Sequence, residues 1–297
     1  MRSEPSTTRS RPTIASGRCC YRFATASPSF SESPKARRDR PRNPSAAPRP
    51  KVEGVDLRTM ADDDVPGLRS RLADHGVLVW RDQQVDDDNF LHFLRSFGDL
   101  LFTAGETPVD GFPDLNVITN VARMTPPRSV FHVDTSYVTE PPAYTALRTV
   151  HVPDRGGETL FTNQYRAYDT LPADRRELLA GRTITHRVSG VSAQDAGDQT
   201  QAEHPVFRVH PISGRTSLYL STPERCVAVS GMDPAQSQAA VQELFEHSTA
   251  SHNVLRHRWR PGDVVMWDNG CVLHKADHSG VHGDRVMHRG MVARYAA

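Results

Sequence analysis

His132 and Asp134 are separated by a single residue, Val133. On an extended strand, residues i and i+2 leave the same face, so an imidazole nitrogen and a carboxylate oxygen can converge on one point. Such a pair supplies two of the three donors of a 2-His-1-carboxylate facial triad, the arrangement that leaves open positions on non-haem Fe(II). The same spacing also fits two polar residues on the wet face of a strand, and the tripeptide alone leaves both readings open. Near the other end of the chain, His274 follows an apolar run. Arg285 and Arg289 flank a short segment whose i, i+4 spacing would put both guanidinium groups on one strand face.

Composition narrows what these residues could serve. The chain has 297 residues, enough for one large domain or two small ones. Its 36 basic and 35 acidic side chains are unevenly spread: residues 1–50 carry 11 Lys/Arg and 3 Asp/Glu, and the remainder is mildly acidic. An acidic body argues against a nucleic-acid groove, and no run approaches the roughly 18 apolar residues of a membrane span. Cys19, Cys20, Cys226 and Cys271 include no C-x-x-C pair, which argues against a structural zinc site or a disulfide framework and favours a reducing, cytoplasmic setting. Residues 1–50 hold 8 of the 22 prolines and 9 serines with almost no apolar periodicity, the composition of a disordered tail. An organellar targeting segment shares that Arg/Ser-rich, acid-poor character. Residues 51–297 read as the folded domain.

The elements that must hold the site can be placed coarsely. Asp62–Asp64 and Pro66 mark a helix start, Gly76 its end, and Val77–Trp80 a short buried strand. A second helix follows Asp86, with Phe90, Leu91, Leu94 and Phe97 on its apolar face. Strands are expected at 115–118, 144–152, 158–161, 183–188, 206–209 and 217–220, with helices over 165–179 and 234–248. Many short strands with Gly/Pro corners and helices at the edges predict a mainly β fold with flanking helices around a jelly-roll core. The irregular stretch 101–128, which leads into the His-x-Asp pair, is where a substrate-covering segment would sit.

Five segments together carry a resemblance. HVDTSYVTEPPA, the GGETLF corner, HPVFRVHPISGRTSLYL, RWRPGDVVMWDNGCVLH and RVMHRGMV resemble, in order and spacing, the taurine dioxygenase and 2,4-dichlorophenoxyacetate dioxygenase family of Fe(II)- and 2-oxoglutarate-dependent oxygenases. The likeness runs from about residue 51 to the end, with 142 residues from His132 to His274 and 15 from His274 to Arg289. It implies a double-stranded β-helix (cupin-like) core. It also implies Fe(II) held by His132, Asp134 and His274, with 2-oxoglutarate and O2 as co-substrates. Arg289 and Thr159 would meet the distal carboxylate of 2-oxoglutarate, and Arg285 would contact the carboxylate nearer the metal or brace the site. A planar guanidinium suits such a clamp better than a lysine does. The reaction implied is oxidation of a C–H bond of a small organic molecule with release of succinate and CO2. Asp134 makes hydroxylation the default, since related halogenases replace this carboxylate with a small residue. Desaturation or epoxidation of a secondary-metabolite intermediate is the alternative outcome.

The substrate side is the least legible. Arg128, Tyr137, Val188 and Arg225 are the candidate pocket residues, and the chain departs from taurine enzymes at Arg128 and in the loop after residue 187. A homo-oligomer is compatible with the reading. His151, His186, His204 and His210 read as hydrogen-bonded packing residues, His278 and His282 as loop residues, and Trp267 and Cys271 as core side chains; His288, beside Arg289, matches a family position that is usually not a ligand. Two other classes compete. One is a catalytically silent cupin-like binding protein, which decay would leave without at least one of these residues; the other is a zinc hydrolase, which would need a general base and no Arg289.

Overall fold

The computed structural model describes residues 51–295, apart from 53, 104, 123–128 and 190–198. Its backbone is an eight-stranded sheet facing a smaller set of strands. The large sheet runs Lys51–Val52, Val77–Trp80, Val264–Asp268, Tyr144–His151, Val286–Val292, Phe112–Thr119, Pro108–Val109, with Leu100–Leu101 also paired to Val286–Val292. Only the first pair is parallel. Opposite it, Thr159–Asn163 lies between Val254–His257 and Val272–Ala276, all antiparallel. A three-stranded sheet centred on Thr183–Arg187 and the Phe207–Val209/Thr216–Leu218 hairpin complete the second layer. The result is a jelly-roll core with helices outside it.

The central strands read as unbroken apolar runs because both of their faces are covered. Val77, Val79, Val265, Trp267, Leu147 and Met287 project into the space between the layers, where they meet Phe161, Tyr165 and Trp259. The alternate residues Leu78, Trp80, Val264 and Met266 pack outward against the helices Val65–His75 and Asp87–Phe97. Each such aliphatic side chain contributes about 1.5–3 kcal/mol on burial. The same alternation sends Arg285, Met287 and Arg289 to the interior, since they lie two apart along one strand and its lead-in.

The helix ends follow their local chemistry. The Asp86 carboxylate accepts from Asn89 N–H at 2.8 Å, capping the second helix. Gly76 ends the first with φ +76°, and a Cβ there would lie 2.7 Å from Val272 Cγ2. The helix expected over 165–179 is instead two, Gln164–Thr170 and Ala173–Leu179. Leu171 precedes Pro172 and takes an extended ψ of 135°, and proline has no N–H to continue the ladder. None of the described helices is long and apolar enough to cross a membrane.

Candidate active site

His132 and Asp134 lie on less regular backbone than a strand. His132 makes an isolated antiparallel bridge to His274, with paired N–H···O=C bonds of 3.0 Å each way. A turn then begins at Asp134, and Thr135 has φ +41°. The extended step across Val133 is enough to keep the two side chains on one side. The bridge also fixes His132 beside His274, the third residue of the set, on the strand Val272–Ala276.

The three donors converge. His132 Nε2 is 3.7 Å from Asp134 Oδ1, His274 Nε2 is 3.6 Å from Asp134 Oδ2, and the two imidazole centroids are 4.3 Å apart. One ligand atom from each residue lies within 4.8 Å of the others. His132 Nδ1 is 2.9 Å from Val130 O, so donation to that carbonyl leaves the Nε2 lone pair facing the site. Burial pushes the His274 imidazole down to about 3, with help from His132 and Arg289 and opposition from Asp134. Burial would raise Asp134, but His274, His132 and Arg289 hold it well below the usual carboxylate range. A neutral His274 imidazole and an ionised Asp134 carboxylate are the forms in which each can bind a divalent metal.

A chain of side chains orients that carboxylate. Thr145 Oγ1 donates to Asp134 Oδ2 at 2.8 Å, Asn269 Nδ2 donates to Thr145 Oγ1 at 2.9 Å, and Trp267 Nε1 donates to Asn269 Oδ1 at 3.2 Å. The Trp267 ring also lies 4.5 Å from that of His274. Thr145 and Asn269 are not identifiable from sequence spacing alone. Their role depends on the register that sets Trp267 opposite Thr145.

The two arginines separate. Arg285 is buried; its Nε donates to Gly157 O at 2.9 Å and its Nη2 to Thr159 Oγ1 at 3.5 Å. Nη1 is buried with no partner, no acidic side chain pairs with it among the described residues, and burial pushes the group down to about 10. Trp259 Nε1 donates to the same Thr159 hydroxyl at 3.0 Å. Gly157, at φ +74°, is required here: a Cβ would sit 3.0 Å from Arg285 Cδ. Arg289 instead faces the triad, with Nη1 3.5 Å from Asp134 Oδ1, and its Nη2 meets Asn116 Oδ1 at 3.4 Å and Glu106 Oε2 at 2.5 Å. Thr159 is therefore a neighbour of Arg285. The i, i+4 spacing shows a shared face, but which end of it meets Thr159 is set by pairing with strands far away in sequence.

Of the substrate candidates, Tyr137 and Arg225 come together. The Arg225 guanidinium carbon is 5.2 Å from the Tyr137 ring centroid, and its Nη1 donates to Val133 O at 3.0 Å. Burial raises the Tyr137 phenol; Arg225 opposes this, and Glu106 and Asp134 add to it. Val188 is half-buried and bonds through its N–H to Thr200 O, at the edge of the neighbouring sheet. Arg128 lies outside the described residues. Three histidines are held by hydrogen bonds: His186 Nδ1 meets Ser136 Oγ at 3.0 Å, His204 Nε2 meets Ser136 O at 2.9 Å, and His288 Nδ1 meets Asp87 Oδ1 at 2.7 Å. His151, expected to pack, is instead exposed at the end of its strand. His210 lies 2.9 Å from Asp268.

Residues 39–291 match the family model described as taurine catabolism dioxygenase TauD, TfdA family. The chain is 30% identical over 267 residues to an alpha-ketoglutarate-dependent 2,4-dichlorophenoxyacetate dioxygenase of Cupriavidus pinatubonensis, covering 80% of this chain and 92% of that one. It is 28% identical to an (S)-phenoxypropionate/alpha-ketoglutarate-dioxygenase of Sphingobium herbicidovorans, over 82% and 90% of the two chains. The crystal structure of a taurine dioxygenase from Burkholderia xenovorans superposes with a TM-score of 0.71 at 30% identity, covering 82% of this chain and 84% of that one. The chain belongs to the TauD/TfdA family, and its chemistry is that of the non-haem iron, alpha-ketoglutarate-dependent dioxygenases.

Proposed function

We propose that residues 51–297 form a dioxygenase domain in which His132, Asp134 and His274 hold Fe(II), and that the enzyme hydroxylates a C–H bond of a small organic molecule. The observation that carries this is the convergence of the His132 imidazole, a neutral His274 imidazole and an ionised Asp134 carboxylate on a single point. Arg285 and Thr159 would take the distal carboxylate of 2-oxoglutarate. A buried guanidinium with a free Nη1 beside a hydroxyl suits a bidentate anion. Arg289, against Asp134, would serve the end nearer the metal. Bound Fe(II), 2-oxoglutarate and O2 supply the oxidising chemistry, and the chain supplies position. Thr145 and Asn269 hold Asp134, the Val130 carbonyl holds His132, and Trp267 walls off His274 from water. Tyr137 and Arg225 would line the substrate side. The relatives' names, with their aryloxy acids, favour an acid of that general kind. Free, buried Cys226 and Cys271 support a reducing, cytosolic setting.

The test is spectroscopic. Anaerobic Fe(II) with 2-oxoglutarate should give a weak visible charge-transfer band in the wild type, and His132→Ala and His274→Ala should each abolish it. A band that survives both substitutions would place the iron elsewhere.

A further inference from the structure

The two arginines of the pocket are prepared differently. Arg285 has no acidic partner among the described residues, whereas Arg289 already carries one on its Nη2, the Glu106 carboxylate at 2.5 Å. Glu106 comes from the segment between Leu100–Leu101 and Pro108–Val109, outside the strands that build the site. The partners are unequal in exposure. Arg289 has 11% of its side chain exposed and is anchored in a central strand, while the Glu106 side chain is 31% exposed. A carboxylate that reaches water regains its hydration on leaving, but a buried guanidinium left alone does not. The carboxylate is therefore the exchangeable member.

We propose that Glu106 is a resident counter-ion, holding the Arg289 end of the pocket in the free enzyme and exchanged there for a small-molecule carboxylate when the site fills. The inference rests on the reading of the pocket given above. One carboxylate replaces another, so the charge against Arg289 and beside Asp134 is unchanged by the exchange. A neutral group offers nothing equivalent in return for the ion pair. The position is thereby reserved for an acid, at the cost of some affinity for it. The incoming carboxylate has two sources, the metal-proximal end of 2-oxoglutarate or an acidic substrate, and the two can be told apart.

The experiment uses Mn(II)-loaded protein and tryptophan fluorescence, since Trp259 touches Thr159 and Trp267 touches His274. N-oxalylglycine is titrated first, and phenoxyacetate is then titrated onto the saturated complex, for wild type, Glu106→Gln and Glu106→Ala. Both variants should bind one of the two probes up to about fivefold more tightly, as removal of one competing charge from a partly exposed pair implies. Tightening for N-oxalylglycine assigns the exchange to the co-substrate, and tightening for phenoxyacetate assigns it to the substrate. Unchanged or weaker binding of both probes, or opposite changes in the two variants, overturns the exchange. Wild-type protein that shows no manganese-dependent response to N-oxalylglycine would instead overturn the metal-site reading, and the exchange with it.

Discussion

Replacing Arg285 with methionine should make the metal-free protein more stable and unable to hold 2-oxoglutarate. The charge is buried beside one carbonyl and one hydroxyl, with Nη1 unpartnered, and burial brings its pKa from the ordinary arginine range down to about 10. That shift corresponds to about 3 kcal/mol of unfavourable interaction in the charged state. The sign follows from linkage: a base with a depressed folded pKa destabilises the fold below that pKa, and the penalty fades only as pH rises past about 10. At neutral pH it is fully present. Methionine removes it but forfeits the bond to Gly157 O and some packing beside Trp259, so the net gain should be about 1–2 kcal/mol. For a domain of this size that raises the midpoint of thermal unfolding by about 3–6 °C. Adding N-oxalylglycine to Mn(II)-loaded protein should then raise the melting temperature of the wild type, because the ligand binds only the folded state, and leave that of the Mn(II)-loaded variant unmoved. A metal-free Arg285→Met protein that melts several degrees below wild type, or one still protected by N-oxalylglycine, would refute the idea of a socket waiting for a carboxylate.

Thr145→Val keeps the shape of the side chain but removes the donor to Asp134, and should weaken Mn(II) or Fe(II) binding by roughly 10–100-fold in a metal titration; it also leaves buried Asn269 Nδ2 without its acceptor, at a cost of about 1–3 kcal/mol in urea unfolding. Gly157→Ala places a Cβ 2.9 Å from Pro153 Cγ and 3.0 Å from Arg285 Cδ at φ +74°; it should cost about 1–3 kcal/mol in urea unfolding and raise the KM for 2-oxoglutarate. In the metal-free protein His186 and His274 both stay neutral down to about pH 3, while the unfolded chain protonates near 6.5. Stability should therefore fall as pH drops from about 6.5 towards 3, by about 2 kcal/mol per histidine at pH 5, and His186→Phe should flatten the slope in urea titrations at several pH values.

Much of this fold was readable from local signals. Asp86 and Gly76 end their helices by side-chain capping and a left-handed turn, both of which leave marks in the sequence. Strand Val77–Trp80 was placed to the residue because four consecutive apolar side chains fit a strand covered on both faces. The helix spanning Pro172 was over-extended, and the proline itself was the available warning. At the site, the convergence of His132, Asp134 and His274 is legible from spacing and family likeness, but the contact of Thr159 with Arg285 is not. It follows from how strand Thr159–Asn163 faces a strand more than 120 residues later. Glu106 and Asn269 escaped for the same reason, since a lone acid in a loop and an amide beside a tryptophan have no pattern until the layers close.

The paired backbone bonds between His132 and His274 set an order of events during synthesis and folding. The first ligand segment is made well before the second, and 142 positions separate them. Closing so long a loop is slow and comes after local elements have formed. Until the last strands dock, the early His-x-Asp pair offers at most two donors and Arg289 is not yet in place to meet Asp134. On the proposed reading of the site, full three-donor metal capture would fall at the end of folding, when the surrounding pocket already exists.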